Sequence, residues 1–203
     1  MKDKNINTKS YDKIADQWDK VRRMRPVDPI VVRFAGMLQK AAHILDIGCG
    51  TGYPIDQFLC ENGFSVTGID PSENMLKKAI QLSLPNSEFI KTDLFSFETD
   101  QTFDAVIAFD SIFHIDLQDQ RCIYPKVSSL LKPGGLFLFT HGRETGTVSG
   151  TMFGEEFVYG ALDEEEVRNI LKSENLGIVE IQKDYKDPVT GTRDLIVICK
   201  KMA

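Results

Sequence analysis

The chain is short of the features that mark several protein classes. Its four cysteines, Cys49, Cys60, Cys122 and Cys199, stand far apart with no C-x-x-C pair, so free thiols are expected rather than a disulfide framework or a zinc ribbon, and no metal is implied. No run approaches 18 consecutive apolar residues, and the polar start from Met1 to Asn7 lacks the apolar stretch of a secretory signal. A cytoplasmic protein with no membrane partner is therefore expected. Basic residues are outnumbered, 24 against 30, for a net charge of −6. Arg22, Arg23 and Arg25 are followed by ordinary mixed charge and not by a basic stripe, so nucleic acid is not an expected partner. No G-x-x-x-x-G-K-[ST] occurs, which removes a P-loop.

What is present is the composition of a globular chain: 203 residues, 42% hydrophobic and 27% charged. That length supports one domain with its own core. Tyr11, Ile14, Trp18 and Val21 recur at helical spacing, and a second helix starts at Asp28-Pro29, a capping acceptor followed by proline at the first helical position. From His43 onward, short apolar runs alternate with helical stripes, the sign of βα units and a parallel sheet. Strands are expected at 43–47, 65–69, 88–91, 105–109, 136–140, 177–183 and 195–200. The last two are joined by Asp187-Pro188-Val189-Thr190-Gly191, a turn-forming stretch that makes them an antiparallel hairpin. Ser72 and Asp163 read as helix caps, and Pro125 predicts a kink or two helices meeting in the segment before the fifth strand.

The organisation that follows is a single unit: helices over 1–40, a core over 41–141, a glycine-rich loop over 142–160, and a carboxyl-terminal helix and hairpin over 161–203. Five of the 15 glycines fall in the third of these stretches. The segment reads as a mobile loop long enough to act as a lid.

The strongest feature is Ile44-Leu45-Asp46-Ile47-Gly48-Cys49-Gly50-Thr51-Gly52, a buried strand followed by three glycines and then a helix. Glycine is needed where backbone turns sharply or approaches a ligand closely, and in an open parallel sheet this first crevice binds ligands. The second strand ends at Asp70, 18 residues after Gly52, where a carboxylate can accept from both hydroxyls of a ribose. The glycines fall as G-x-G-x-G, with Tyr53 following, and not as the G-x-G-x-x-G of a dinucleotide site.

These two segments resemble the first motifs of class I S-adenosylmethionine-dependent methyltransferases, of the kind acting on small molecules. Lys91-Thr92-Asp93, Phe103-Asp104-Ala105-Val106-Ile107-Ala108 through Phe113-His114-Ile115, and Leu131-Lys132-Pro133-Gly134-Gly135-Leu136 agree with the family in order and spacing over about residues 11 to 140. The resemblance implies an α/β fold: a Rossmann-like, seven-stranded, mostly parallel sheet with helices on both faces and a C-terminal antiparallel hairpin. It implies S-adenosyl-L-methionine as cofactor and S-adenosyl-L-homocysteine as product. Carried over residue by residue, Gly48, Cys49, Gly50 and Gly52 line the methionine portion and Asp46 orients its amino group. Asp70 takes the ribose hydroxyls, Pro71 and Met75 flank the adenine, Asp93 accepts from its amino group, and Leu94 offers a backbone donor. Phe109 and Asp110 sit at the methyl-transfer site. The helix with Tyr11, Ala15 and Trp18 looks like a lid over the cofactor, its aromatic faces suited to a sulfonium; core packing of an amphipathic helix accounts for them as well.

A sulfonium methyl is already activated, so positioning and exclusion of water carry most of the reaction. Where the acceptor must lose a proton, Asp110 and His114 are the candidate bases, with His141 a weaker one. His114 lies in an apolar stretch and reads equally as a hydrogen-bonded structural histidine. Neither an Asn-Pro-Pro-Tyr type segment nor a Pro-Cys nucleophile occurs. A small-molecule acceptor is therefore expected, in a pocket to which Phe153, Phe157 and Tyr159 contribute, on a monomer or homodimer. A nicotinamide-dependent oxidoreductase and a non-catalytic cofactor-binding module remain the competing readings.

Overall fold

The computed structural model describes residues 5–202; Met1 to Lys4, part of the polar start considered above, lie outside the described residues. The chain order is α1 (Ile6–Arg22), α2 (Pro29–Ala35), β1 (His43–Ile47), α3 (Ile55–Glu61), β2 (Ser65–Asp70), α4 (Glu73–Gln81), β3 (Ser87–Lys91) and β4 (Phe103–Ala108). Two 3₁₀ turns at Ile112–His114 and Leu117–Asp119 follow, then α5 (Gln120–Leu130), β5 (Leu131–His141), β6 (Gly146–Met152), β7 (Glu155–Ala161), α6 (Glu164–Ser173), β8 (Leu176–Asp187) and β9 (Gly191–Lys201).

Seven strands form one sheet in the order β3-β2-β1-β4-β5-β9-β8. The first five are mutually parallel, and β9 runs antiparallel to both β5 and β8. Alternation along the buried strands sends Leu45, Val106, Phe137 and Val197 to one face, where Tyr124 and Val127 of α5 and Val167 and Leu171 of α6 cover them. Ile44, Ala105, Leu138 and Ile196 go to the other, under Phe34 of α2 and Leu59 of α3. Helices thus close both faces, as a parallel sheet requires. Helix α1 stands apart from these layers and packs through Ile14 and Ala15 on Met75 of α4 and Phe157 of β7.

The helix ends have the chemistry their residues suggest. Asp28 accepts from the Ile30 amide, Ser72 from the Met75 amide and Asp163 from the Glu166 amide. Two expectations are corrected. Helix α5 runs unbroken through Pro125. The proline stands one turn into the helix, so the donor it lacks is owed only to the carbonyl of Arg121, an exposed residue that water can reach. The stretch 142–160 is not a loop: β6 and β7 pair antiparallel through seven register positions. They turn at Phe153-Gly154, both with positive φ (52° and 85°), the geometry of a two-residue hairpin. Strand β6 is mainly Gly, Thr and Ser, with Val148 exposed and Met152 at its end, so no apolar alternation announced it.

Candidate functional site

Strand order reverses between β1 and β4, since β2 continues the sheet on one side and β5 on the other. The crevice at the carboxyl ends of those strands is where an open α/β sheet offers a binding site. A cavity of about 350 Å³ opens there, between the turn after β1, the turn after β4 and the inner face of α1, within the range of small-molecule sites.

The turn after β1 is held by its own backbone. The amides of Gly48 and Cys49 both donate to the carbonyl of Ile69, at 2.8 and 3.1 Å. The amide of Gly50 donates to Asp70 Oδ2 at 2.9 Å, and that of Ser72 to Asp70 Oδ1 at 2.8 Å. Gly48 has φ +75°, and a Cβ on it would lie 2.4 Å from the Ser111 Cβ, so only glycine lets the two turns meet. Three amides of this turn are therefore already bonded within the protein, and the neighbouring carboxyls of Asp46 and Asp70 oppose an anion. A pyrophosphate finds no cradle here, which removes the ground for the nicotinamide alternative. Burial raises the Asp70 pKa to about 6, against the lowering effect of its two amide bonds.

Asp46 lines the cavity, with Asp56 beside it at the start of α3; burial raises the pKa of both carboxyls. Pro71, Met75, Asp93 and Leu94 line a further part of the wall. The Asp93 carboxylate accepts from the Phe95 and Ser96 amides and from the Ser96 hydroxyl, at 2.8, 3.0 and 2.7 Å. Partial burial alone would raise its pKa, and these bonds outweigh that and leave it lowered.

On the α1 side, Tyr11 and Trp18 meet edge to face at 5.7 Å, and the Arg22 guanidinium lies 5.6 Å from the Trp18 ring. Arg22 lines the cavity and makes no ion pair with a carboxylate among the described residues. The Tyr11 hydroxyl is 2.9 Å from His114 Nε2, while His114 Nδ1 is 3.2 Å from the carbonyl of Val158. A carbonyl only accepts, so the ring proton sits on Nδ1, and Nε2 accepts from Tyr11. Burial, only partly offset by the Val158 contact, lowers the His114 pKa to about 4.

Asp110 is held differently from its neighbour. Both its oxygens accept from Arg193 of β9, at 2.8 and 2.7 Å, and Arg193 also reaches Asp28 at 3.1 Å while its guanidinium lies 4.4 Å from the Phe109 ring. Both oxygens of Asp110 are thus taken up by Arg193, so the geometry favours His114 for that work. Among the other expected residues, Cys49, Gly50 and Phe109 line the cavity, and Gly52 does not. A Cβ on Gly52 would touch Leu82, Ala79 and Phe89 at 3.2 to 3.4 Å, so that glycine serves helix packing. Phe153, Phe157, Tyr159 and His141 are also absent from the cavity wall. Phe157 is buried behind Tyr11, at 4.8 Å between ring centres, and Phe153 is exposed at the hairpin tip. His141 bonds the Gln120 side chain.

Sequence reasoning missed Arg22, Ser111, Arg193 and Asp56. Arg22 was within reach, because 11, 15, 18 and 22 fall on one helical face. The other three are brought in by sheet order and turn geometry, which no local pattern states.

A family model described as a methyltransferase domain matches residues 44–135. The ubiquinone biosynthesis O-methyltransferase of Coxiella burnetii is 28% identical over 170 residues, which span 79% of this chain and 71% of that protein. The CcbJ methyltransferase from Streptomyces caelestis has a TM-score of 0.76 at 19% identity, over 99% of this chain and 100% of that one. The 1,6-didemethyltoxoflavin-N1-methyltransferase of Burkholderia thailandensis, solved with 1,6-didemethyltoxoflavin and S-adenosylhomocysteine, has a TM-score of 0.70 at 18% identity, over 98% of this chain and 87% of that one. At such identities the two structures speak for the fold.

Proposed function

The chain carries a class I S-adenosylmethionine-dependent methyltransferase domain, and from that premise we propose that it methylates a small molecule at a hydroxyl or a weakly basic nitrogen. Its cofactor is S-adenosylmethionine, which when bound supplies an activated methyl on a sulfonium. The residues of the cavity suit that molecule part by part. Asp70 accepts from the ribose hydroxyls, Pro71 and Met75 flank the adenine, and Asp93 and Leu94 meet its edge. Gly48, Cys49 and Gly50 let the backbone lie against the methionine portion. Asp46 takes the ammonium of that portion and Arg22 its carboxylate, so the two charges of the zwitterion meet opposite charges. Tyr11, Trp18 and Phe109 exclude water from the reacting centre, and Arg193 fixes Asp110 beside it.

The observation that carries the acceptor class is the chain from Tyr11 through His114 to the Val158 carbonyl. With its own proton given to His114, the Tyr11 oxygen is free to accept one from the acceptor, and His114 can take the proton that Tyr11 passes on. A base with a pKa near 4 works only on a proton that becomes strongly acidic as the methyl bond forms, as on a hydroxyl becoming an oxonium. It is of no use against an aliphatic ammonium, whose pKa is about 10. The Coxiella relative is named as an O-methyltransferase and the Burkholderia protein as an N1-methyltransferase. The charge of −6 further supports a small acceptor over nucleic acid, and sparse cysteine supports a cytoplasmic setting.

The test is incubation with trideuteromethyl-labelled cofactor and a panel of hydroxyl compounds, heteroaromatic nitrogens and aliphatic amines, read by mass spectrometry. Labelled product is expected from the first two classes. Tyr11→Phe should lower kcat on the best of them about 100-fold with little change in KM. Product from aliphatic amines alone, or an unchanged kcat in Tyr11→Phe, overturns the reading.

A further inference from the structure

Asp56 is fully buried in the first turn of α3, behind the cavity wall and beside Asp46 of β1. Both its oxygens are shut off from solvent and accept from no amide, hydroxyl or cation among the described residues. An ionised carboxylate there would be a buried charge without a counter-charge. The amides of the helix start, which would favour an anion, do not reach it. The polar side chain next to it is Asp46, and two carboxyl groups set together can hydrogen-bond only when one of them keeps a proton.

The surroundings say which one. Asp46 lines the same cavity as Arg22 of α1, whereas Asp56 lies behind the wall with no donor or cation on either oxygen among the described residues. The proton therefore belongs on Asp56 and the charge on Asp46.

We propose that Asp56 is a positioning residue that acts as a neutral acid: its hydrogen bond fixes the orientation and the ionised form of the Asp46 carboxylate that meets the ammonium of the cofactor. The proton stays on Asp56 throughout, and no covalent bond changes. The inference rests on the reading that Asp46 takes that ammonium.

The experiment is calorimetric titration of the whole protein with S-adenosylhomocysteine between about pH 6 and about pH 8, on the wild type, Asp56→Asn and Asp56→Ala. Asparagine keeps a donor of the same shape without a titrating proton. Its affinity should stay within about threefold of the wild type with the same pH profile, whereas alanine should bind about tenfold more weakly or worse. In the alanine variant the loss of affinity toward acid should also begin at higher pH, because Asp46 has lost the donor that favours its charge. A purely structural role would leave that limb in place. Asp56→Asn as weak as Asp56→Ala, or an acid limb that does not move, overturns the proposal. Infrared difference spectra between wild type and Asp56→Asn near neutral pH give a second reading: a carboxylic-acid carbonyl band in the wild type is expected, and its absence overturns the proposal. Should the wild type fail to take S-adenosylhomocysteine at any pH while still showing that band, the assignment of Asp46 to the ammonium is what has failed.

Discussion

At the scale of single residues, Asp70, Asp93, Asp110 and His114 each have fixed partners. Asp70 illustrates the cost. Its carboxylate is buried with two amide bonds, and its pKa is raised from 3.8 to about 6. Because the folded value is the higher one, the native state holds a proton that the unfolded chain has given up, and stability falls as pH rises through the window from about 4 to about 6. Relative to Asp70→Asn, which has no such proton, the wild type should gain about 2.5 kcal/mol of unfolding free energy when the pH is lowered from about 8 to about 4. Denaturant melts at the two pH values check this. The same substitution should weaken S-adenosylhomocysteine binding at least about tenfold, so a variant as tight as the wild type would remove the ribose assignment. His114 shifts the other way. Its folded pKa, about 4, lies below the ordinary 6.5, so its contribution to stability is present above about pH 6.5 and is lost as pH falls toward 4. Its ring resonances in a proton NMR titration should move near pH 4; movement near 6.5 would contradict the buried, Tyr11-bonded geometry. Gly48, Gly50 and Asp70 were legible in the sequence, because a three-glycine turn and an acid ending the next strand have few other uses. The clamp of Arg193 on Asp110 was not, since 83 residues separate them and only the sheet joins β9 to β5 beside β4.

Among the elements, α1 and β7 belong together. Asn7 donates from its side-chain amide to the Val158 and His114 carbonyls, at 2.8 and 3.1 Å, and accepts from the Val158 amide at 2.8 Å. Ser10 donates to the Glu156 carbonyl and Lys13 pairs with Glu155. This is the way a lid helix can be pinned to a hairpin that never itself lines the cavity. Asn7→Ala removes three of these bonds at one stroke. Local opening of α1 should become easier by about 2 kcal/mol, seen as faster amide exchange in α1 with slow exchange retained in β1 and β4. Equal exchange in α1 of both proteins would show that the helix is held by packing alone. The helices and central strands could be read from periodicity and capping residues, as Asp28, Ser72 and Asp163 show. The hairpin could not: β6 has only Met152 packed on the α1 cluster while its Val148 is exposed, and it pairs with β7, which lies on α1. The unbroken α5 was misread for a related reason, because the cost of a proline depends on whether the orphaned carbonyl meets water.

For the whole molecule, the order of strands gathers residues from α1, β1, β2, β4 and their turns around one crevice. The sequence motifs mark the β1 and β2 side of it, where cofactor chemistry imposes glycine and carboxylate. The opposite side is built from α1, the turn after β4 and the clamp from β9, which depend on tertiary pairing and left little trace in local pattern. The central claim is that this crevice holds S-adenosylmethionine with its charged end between Asp46 and Arg22 and its reactive end toward Tyr11 and His114. A crystal structure of the protein with S-adenosylhomocysteine tests it most directly. The account predicts both ribose hydroxyls within hydrogen-bond reach of Asp70, the carboxylate on Arg22 and the sulfur facing the Tyr11 hydroxyl. A complex with the ribose away from Asp70, or with the sulfur turned from Tyr11, would contradict it.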